Sequence, residues 1–264
     1  MHNSQMANHH KSTNEITLPK KLRHMTGKAI SDYQMIREGD RVLLGLSGGK
    51  DSLSLLHLLL HFQRHAPISF EVAAMTVDPQ SGEFDPSPMI SYLESLNIEY
   101  FFIKEPILEM ADEHMSGDSY CSFCARMKRG VMYSTARKEG FNVLALAQHL
   151  DDLAESFLMS AFHGGTLNTM KAHYLNDKGD IRVIRPLVYI REKMTAEFAE
   201  ENELPVITEN CPACFSKPTQ REHMKQLLAS EEKQITNLFG SLLSTMRPLM
   251  GEMQEDENKK RSPK

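Results

Sequence analysis

The chain has 264 residues, of which 41% are hydrophobic and 25% are charged, and its formal net charge is −5. This composition is typical of a globular protein with one main domain and a core of its own. Because the net charge is negative, the charge of the whole chain gives no support to a nucleic-acid partner. A nucleic-acid site would have to be a local basic patch. The most apolar run, residues 53–62, is too short to span a membrane, and the polar first residues resemble no signal peptide. We therefore expect a cytoplasmic protein with no membrane partner.

Apolar periodicity predicts helices and strands that alternate along the chain. The predicted strands are residues 41–46, 71–77, 99–103, 142–147, 181–184 and 205–207. The predicted helices are residues 19–39, 52–64, 88–96, 126–138, 150–162, 193–202 and 219–247. This order predicts an α/β fold, with an open, mostly parallel sheet and helices on both faces. Residues 21–247 are predicted as one domain, between a flexible tail at 1–20 and a charged flexible tail at 248–264.

The string SGGKDS follows the first predicted strand and precedes a helix. Its members are Ser47, Gly48, Gly49, Lys50, Asp51 and Ser52. The spacing is one residue too short for a Walker phosphate loop, and an aspartate stands where that loop needs a hydroxyl. Glycines before a helix N-terminus nevertheless form an anion site, to which serine hydroxyls and a lysine contribute. The aspartate would repel a bare phosphate, so it is expected to cap the helix or to lie near Mg²⁺. The alternative, a glycine turn that only starts a helix, is disfavoured because the whole string lies between a strand and a helix.

The four cysteines occur as two CxxC pairs, Cys121 with Cys124 and Cys211 with Cys214. In a cytosolic chain such pairs are more typical of metal or redox chemistry than of structural disulfides. Two interpretations stay open from the residues alone: a structural zinc site held by all four cysteines, or an iron–sulfur cluster.

A second polar string, AQHLDDLAES, lies at the carboxyl end of the fourth predicted strand. Its Gln148, His149, Asp151 and Asp152 are expected to face a bound nucleotide, because ligands of such sheets bind at that edge. Carboxylates there would hold Mg²⁺ on the phosphates, although an aspartate pair at a helix start is also a common cap. Thr76 and Asp78, at the end of the second strand, are candidate adenosine contacts by the same topology.

Basic residues gather in two local stretches. Arg126, Arg129 and Arg137 fall within one face of a predicted helix. Arg185 and Arg191 belong to a second stretch, at residues 182–193. Such patches bind phosphates, although a solvated surface is an equally ordinary explanation for each of them.

The SGGKDS string resembles the SGGxDS loop of the N-type ATP pyrophosphatases, the PP-loop family. These enzymes split ATP between its α and β phosphates and adenylate a substrate. The resemblance implies that residues 47–52 bind ATP with Mg²⁺ and that Lys50, Asp51 and Asp152 act in catalysis.

Further motifs make the chain similar to one branch of that family, the tRNA 2-thiocytidine synthetases, from about residue 43 to residue 224. After SGGKDS, these motifs are CSFCARMKRG, LAQHLDDLAES, FHGG at 162–165, IRPLVYIRE at 184–192 and CPACFSKP. The chain departs from the branch at Gln148, where the related enzymes usually have a histidine.

This second resemblance implies a [4Fe–4S] cluster held by Cys121, Cys124 and Cys211, with Cys214 left over and zinc as the alternative metal. It also implies tRNA as substrate, a cytidine at position 32 as target and a sulfur donor such as a cysteine desulfurase system. Arg126, Arg129, Arg185 and Arg191 are the expected tRNA contacts. Related enzymes are often dimers, so a homodimer is expected.

Three hypotheses for the function remain at this point. The first is an enzyme that thiolates cytidine in tRNA. The second keeps the PP-loop chemistry but uses another tRNA base or a small metabolite, which the acidic balance and Gln148 leave open. The third is a zinc-stabilised nucleotide-binding module without catalytic activity.

Overall fold

The computed structural model describes residues 16–80, 85–114, 120–207 and 219–251. The strands are β1 Arg41–Gly45, β2 Glu71–Asp78, β3 Tyr100–Lys104, β4 Val143–Ala145, β5 His173–Leu175 and β6 Arg182–Ile184. The helices are α1 Lys20–Asp32, α2 Lys50–His65, α3 Ser87–Ser95, α4 Ile107–His114, α5 Tyr120–Glu139, α6 Leu150–Gly164, α7 Glu192–Glu201, α8 Gln220–Glu232 and α9 Leu238–Met246, followed by a 3-10 turn at Arg247–Leu249.

The strands form one six-stranded sheet in the order β3-β2-β1-β4-β6-β5. All pairs are parallel except β5 with β6 at one edge. The chain leaves β1 towards β2 and β3 and later returns to the other side of β1 with β4. This reversal makes the carboxyl ends of β1 and β4 a topological switch point, where sheets of this kind bind ligands.

Apolar side chains cover both faces of the sheet. In β1, Leu43 points to one face, while Val42 and Leu44 point to the other. Helices α4 and α5 cover the first face, and α1, α2, α3, α6, α7, α8 and α9 contribute to the larger core on the second. The predicted α/β fold with a mostly parallel sheet and helices on both faces is therefore confirmed.

Several predicted element boundaries are wrong. Residues 205–207 form no strand but a loop, whose Ile207 N–H donates to the Gly48 carbonyl at 2.9 Å. The helix predicted from residue 126 begins at Tyr120, and the single helix predicted over 219–247 is two helices, α8 and α9. Strand β5 and helix α4 were not predicted. Strand β5 lies at the edge of the sheet and has no buried residue, whereas all three residues of β4 and of β6 are buried, and α4 spans only eight residues.

The predicted tails lie partly outside the described residues. Ile16 and Leu18 pack against the larger core, and Met250 is buried with its sulfur 3.8 Å from the Tyr33 hydroxyl. Residues 1–15, 208–218 and 252–264, which include Cys211 and Cys214, are not among those described. Within the described ranges, no helix combines the length and the apolar character that crossing a membrane requires.

A buried ion pair fixes the start of β6, the strand that precedes Arg185. Arg182 contacts Asp40 at 2.6 and 3.3 Å, and both side chains are almost fully buried. We expect Arg182→Met to lower the free energy of unfolding by about 3 kcal/mol, since it leaves a buried carboxylate without its partner. Chemical denaturation would measure this change. Lys28→Ala, which removes an exposed pair with Asp32, should cost less than about 1 kcal/mol, and an equal loss in both variants would contradict the prediction.

Candidate functional site

The loop between β1 and α2 presents helix N–H groups at the carboxyl edge of the sheet. Gly48 adopts a φ of +87°, and Gly49 is the N-cap residue of α2, with no side-chain cap among the described residues. Ser47 Oγ accepts from the Gly49 N–H at 3.3 Å, and Ser52 Oγ donates to the Gly49 carbonyl at 2.9 Å. The two serines therefore brace the loop, while the uncapped first turn of α2 fits the predicted anion site.

Lys50 opens α2 and contacts two carboxylates. Its Nζ lies 3.1 Å from Asp51 Oδ2 and 2.9 Å from Glu192 Oε1. Burial works against the charged form, but the two carboxylates outweigh it and raise the pKa of Lys50. The expected capping role of Asp51 is wrong, since Gly49 holds the N-cap position. Asp51 instead accepts hydrogen bonds from Lys50 and from the Thr195 hydroxyl, so it orients the lysine.

His149 and Asp152 form a capping box at the start of α6. The His149 N–H donates to Asp152 Oδ2 at 2.9 Å, and His149 Nδ1 accepts from the Asp152 N–H at 3.3 Å. A neutral imidazole whose Nδ1 accepts carries its proton on Nε2, and this Nε2 lies 3.7 Å from Asp51 Oδ2. The capping alternative therefore holds for Asp152, and the box also brings His149 beside the glycine loop.

Asp151 connects α6 to α7. Its Oδ1 accepts from Arg191 Nε at 3.0 Å, and its Oδ2 accepts from the Glu192 N–H at 2.8 Å. Arg191 also donates to both carboxylate oxygens of Glu232, and its guanidinium lies 3.2 Å from the centre of the Phe239 ring. These contacts indicate that Arg191 positions the site. A contact between Arg191 and tRNA stays a prediction.

Two more cations come from α8. Arg221 donates to Glu155 at 2.8 Å and to Asp152 at 3.1 Å. Lys225 Nζ lies 2.7 Å from Glu192 Oε2 and 3.0 Å from its Oε1. Burial opposes the ionisation of Glu192, but hydrogen bonds from its two lysine partners outweigh it and lower the pKa of Glu192 to about 2. This carboxylate is therefore charged at neutral pH.

These side chains form three ion-paired groups, which are joined by the Glu192 N–H that donates to Asp151 and by His149 between Asp51 and Asp152. Together we call them the carboxylate cluster. Its members are Lys50, Asp51, Asp151, Asp152, Glu155, Arg191, Glu192, Arg221, Lys225 and Glu232. The ion pairs of 3.1 Å or less join four basic side chains to six carboxylates, so the formal charge of the cluster defined in this way is −2. A triphosphate would add further negative charge, so the site needs another cation when a nucleotide binds. Among the described residues no three side chains form a metal site by themselves, so phosphate oxygens would have to complete the coordination.

Thr76 and Asp78 lie at the carboxyl end of β2, next to β1. The Thr76 hydroxyl donates to the Leu46 carbonyl at 2.7 Å, and Asp78 Oδ1 accepts from the Gln80 N–H at 2.8 Å. Both side chains are buried and help to shape the edge beside the glycine loop. Their contact with adenosine stays a prediction.

Gln148 is held by Arg185. The Arg185 Nε donates to Gln148 Oε1 at 2.8 Å, and a second guanidinium nitrogen donates to the Lys171 carbonyl. Arg185 is only 5% exposed, and its guanidinium lies 5.5 Å from the centre of the Tyr174 ring. This burial favours a role in orienting the Gln148 amide over one in binding phosphate. The tRNA contact of Arg185 stays a prediction.

The basic face predicted on α5 is partly neutralised. Arg137 pairs with Asp180 at 2.6 Å. Arg126 is exposed, with its guanidinium 5.7 Å from the centre of the Phe123 ring, and Arg129 is half-buried. Arg126 and Arg129 therefore remain the better placed of the four predicted tRNA contacts.

The first cysteine pair lies near the start of α5. Cys121 and Cys124 are three residues apart on this helix, so the two positions share one helix face. Cys124 is half-buried and packs against the core beneath α4 and α5. The predicted ligand Cys211 lies outside the described residues, so the structure describes one half of the predicted cysteine site.

The sequence alone does not identify Glu192, Thr195, Arg221 or Lys225 as site residues. Glu192 and Lys50 are 142 positions apart in the chain, and only the fold brings them together. The one available signal was that Glu192 ends the IRPLVYIRE string.

Gly48→Ala is expected to lower both stability and ATP affinity. The left-handed conformation costs a side-chain-bearing residue about 1–2 kcal/mol, and an added Cβ would lie 3.2 Å from the Ile207 Cβ. Denaturation and ATP titration measure the two effects. Gly165→Ala is the matched control: its φ is +60°, but a Cβ there would meet nothing within 4 Å, so only stability should fall. Wild-type ATP affinity in Gly48→Ala would contradict the prediction.

Comparison with known proteins agrees with this geometry. Residues 17–213 match the family model described as the PP-loop domain. The tRNA-cytidine(32) 2-sulfurtransferase of Geobacter sulfurreducens is 41% identical over 228 residues, which cover 86% of this chain and 89% of that protein. The protein of the same name from Aliivibrio fischeri is 38% identical, over 87% of this chain and 75% of its own. The U34-tRNA thiolase NcsA from Methanococcus maripaludis, solved with its [4Fe-4S] cluster, has the same fold: the TM-score is 0.70 and the identity 21%, over 93% of this chain and 88% of that one.

The loop between β1 and α2 lies at the switch point of the sheet, and residues 17–213 match the PP-loop domain. Together they define a nucleotide-binding protein of the PP-loop class, and the chain belongs to the PP-loop domain family. The sequence identity resolves the branch. The chain belongs to the family of the tRNA-cytidine(32) 2-sulfurtransferases.

Proposed function

We propose that this chain is an ATP-dependent tRNA sulfurtransferase that converts a cytidine, the one at position 32, to 2-thiocytidine. The observation that carries the proposal is the 41% identity, over 86% of the chain, to the sulfurtransferase of Geobacter sulfurreducens. The geometry of the glycine loop supports it, because an uncapped helix N-terminus beside Lys50 suits a pyrophosphate leaving group.

The reaction divides into two steps. In the first, the C2 oxygen of cytidine attacks the α-phosphorus of ATP, a new P–O bond forms, and the bond to the bridging oxygen breaks. Pyrophosphate leaves with that electron pair, and Lys50 and the N-terminus of α2 stabilise its charge. In the second step, a sulfur nucleophile adds to C2, and AMP leaves with the original oxygen.

Asp51 and Asp152, the other two predicted catalytic residues, position Lys50 and His149. Asp51 holds Lys50 by its contact at 3.1 Å. Asp152 fixes His149 through the capping box, and His149 Nε2 in turn faces Asp51 at 3.7 Å. Asp152, His149 and Asp51 thus contact one another in series and hold Lys50 at the proposed phosphate site.

Mg²⁺ fits the acidic character of the carboxylate cluster. The cluster carries a formal charge of −2 before a nucleotide arrives. Mg²⁺ is commonly held by one or two carboxylates together with phosphates and water. Asp51 and Asp152 are the carboxylates we propose for it, and the ion would offset the charge of the triphosphate.

The cysteines fit an iron–sulfur cluster. Cys121 and Cys124 share one face of α5, and we propose Cys211 as the third ligand, with zinc as the alternative metal. When bound, the cluster supplies an iron site that presents sulfur to the activated carbon. The tRNA contacts are proposed at Arg126 and Arg129 foremost. A cysteine desulfurase system as sulfur donor, a homodimer and a cytoplasmic location remain part of the proposal.

The test is mass spectrometry of nucleosides from the total tRNA of a strain that lacks the gene. We expect 2-thiocytidine to disappear, and to return with the intact gene but not with a Lys50→Ala copy. Loss of a different thionucleoside would move the target to another base. An unchanged set of thionucleosides would contradict tRNA thiolation, and release of pyrophosphate with small metabolites would then be measured.

A further inference from the structure

Glu192 is shared between two lysines from different helices. Its Oε1 accepts from Lys50 Nζ at 2.9 Å and from Lys225 Nζ at 3.0 Å, and its Oε2 lies 2.7 Å from Lys225. Lys50 also contacts Asp51. Two carboxylates therefore neutralise the lysine that has to meet the phosphates.

A nucleotide entering this site brings negative charge close to Glu192. When Lys50 turns to the phosphates, Glu192 loses one of its two lysine partners. The ion pair that Glu192 then keeps is the one with Lys225, whose Nζ lies 2.7 Å from Oε2. A half-buried carboxylate in this position needs a second cation that stays with it when Lys50 leaves.

The packing of α8 holds the backbone of Lys225 in place. Its helix, α8, is anchored by buried Met224 and Leu228, and α8 packs closely against α6. Arg221, one turn earlier, fastens the same helix to Asp152 and Glu155. The backbone that carries Lys225 is thus fixed independently of Glu192.

We propose that Lys225 is a positioning residue of the phosphate site, which keeps Glu192 neutralised and turned away so that Lys50 can bind the pyrophosphate part of ATP. The inference rests on the proposed use of ATP. It assigns to α8, which follows the second cysteine pair by a few residues, a direct influence on nucleotide affinity.

The experiment measures the dissociation constant of Mg·ATP by isothermal titration calorimetry, with the full chain and without tRNA. We expect Lys225→Ala to bind about tenfold more weakly and Lys225→Arg within about twofold of wild type. Removing the repelling charge should reverse the loss, so the double variant Lys225→Ala/Glu192→Gln should return to within about threefold. Lys28→Ala is the control: this exposed lysine on α1 pairs with Asp32, which is not a member of the carboxylate cluster, and the affinity should not change.

Three results would overturn the inference. Unchanged affinity in Lys225→Ala would show that Glu192 needs no second cation. A double variant as weak as Lys225→Ala would show that Lys225 acts on the nucleotide directly and not through Glu192. A wild-type chain that binds no Mg·ATP would contradict the proposed function itself, and the inference with it.

Discussion

Lys50→Ala is expected to lower kcat/KM for ATP by roughly a hundredfold to a thousandfold, the loss typical of removing one preorganised group that stabilises developing charge. The change removes the charge that we propose to meet the leaving pyrophosphate. It also leaves Asp51 and Glu192 without their shared cation, so the phosphate site becomes more negative. Both effects act in the same direction. The measurement is tRNA-dependent release of pyrophosphate at varied ATP concentrations.

Lys28→Ala is the matched control for this prediction. Lys28 is an exposed lysine on α1 that pairs with Asp32 at 3.0 Å and does not belong to the carboxylate cluster. Its replacement should leave kcat/KM unchanged, and thermal unfolding of both variants would separate lost chemistry from lost folding. Activity of Lys50→Ala within about threefold of wild type would remove Lys50 from the catalytic step.

The part of the site that could be predicted from the sequence is the part built from neighbouring residues. The glycine loop at residues 47–52 and the polar residues after β4 follow their strands directly, so each reveals its place at the carboxyl edge. Parallel alternation of strands and helices then places both at one switch point. Strand β5 was not predicted because it is an edge strand without a buried residue, so it lacks the apolar pattern of the buried strands β4 and β6.

Charges that are distant in sequence were harder to interpret. Arg185 and Arg191 form part of a basic stretch in the sequence, and such a stretch suggests an open phosphate-binding surface. In the fold Arg185 is buried against Gln148, and Arg191 is held between Asp151 and Glu232. Their partners, an amide oxygen for Arg185 and two carboxylates for Arg191, come from other elements, so no local pattern could show that these side chains are already engaged.

The basic residues of α8 could not be recognised as site residues for the same reason. On α8, Arg221 and Lys225 are four positions apart, as on an ordinary solvated helix face. Only the packing of α8 against α6 turns that face towards the carboxylates. Function at this site therefore depends on helix packing as well as on the motif that identifies the family.

Cys121→Ser, Cys124→Ser and Cys211→Ser are each expected to reduce 2-thiocytidine formation by about a hundredfold or more, because removal of a metal ligand loses both the metal and the chemistry that depends on it. Binding of Mg·ATP should persist in all three, since the glycine loop is built from β1 and α2. Calorimetry with Mg·ATP and nucleoside analysis of tRNA measure the two properties separately. Loss of ATP binding together with thiolation would indicate a structural role for the cysteines.

Cys214→Ser distinguishes the two metals that the cysteine pairs allow. A structural zinc site is closed by four ligands, so loss of Cys214 should release the metal and destabilise the chain. A [4Fe–4S] cluster held by three cysteines does not use Cys214, so the variant should keep its iron, its sulfide and its visible absorbance. We expect the second result, because a site closed by four cysteines leaves no open position from which sulfur can be delivered. Equal loss of iron from Cys214→Ser and Cys211→Ser would contradict the proposed ligand set, and bound zinc in place of iron would contradict the cluster itself.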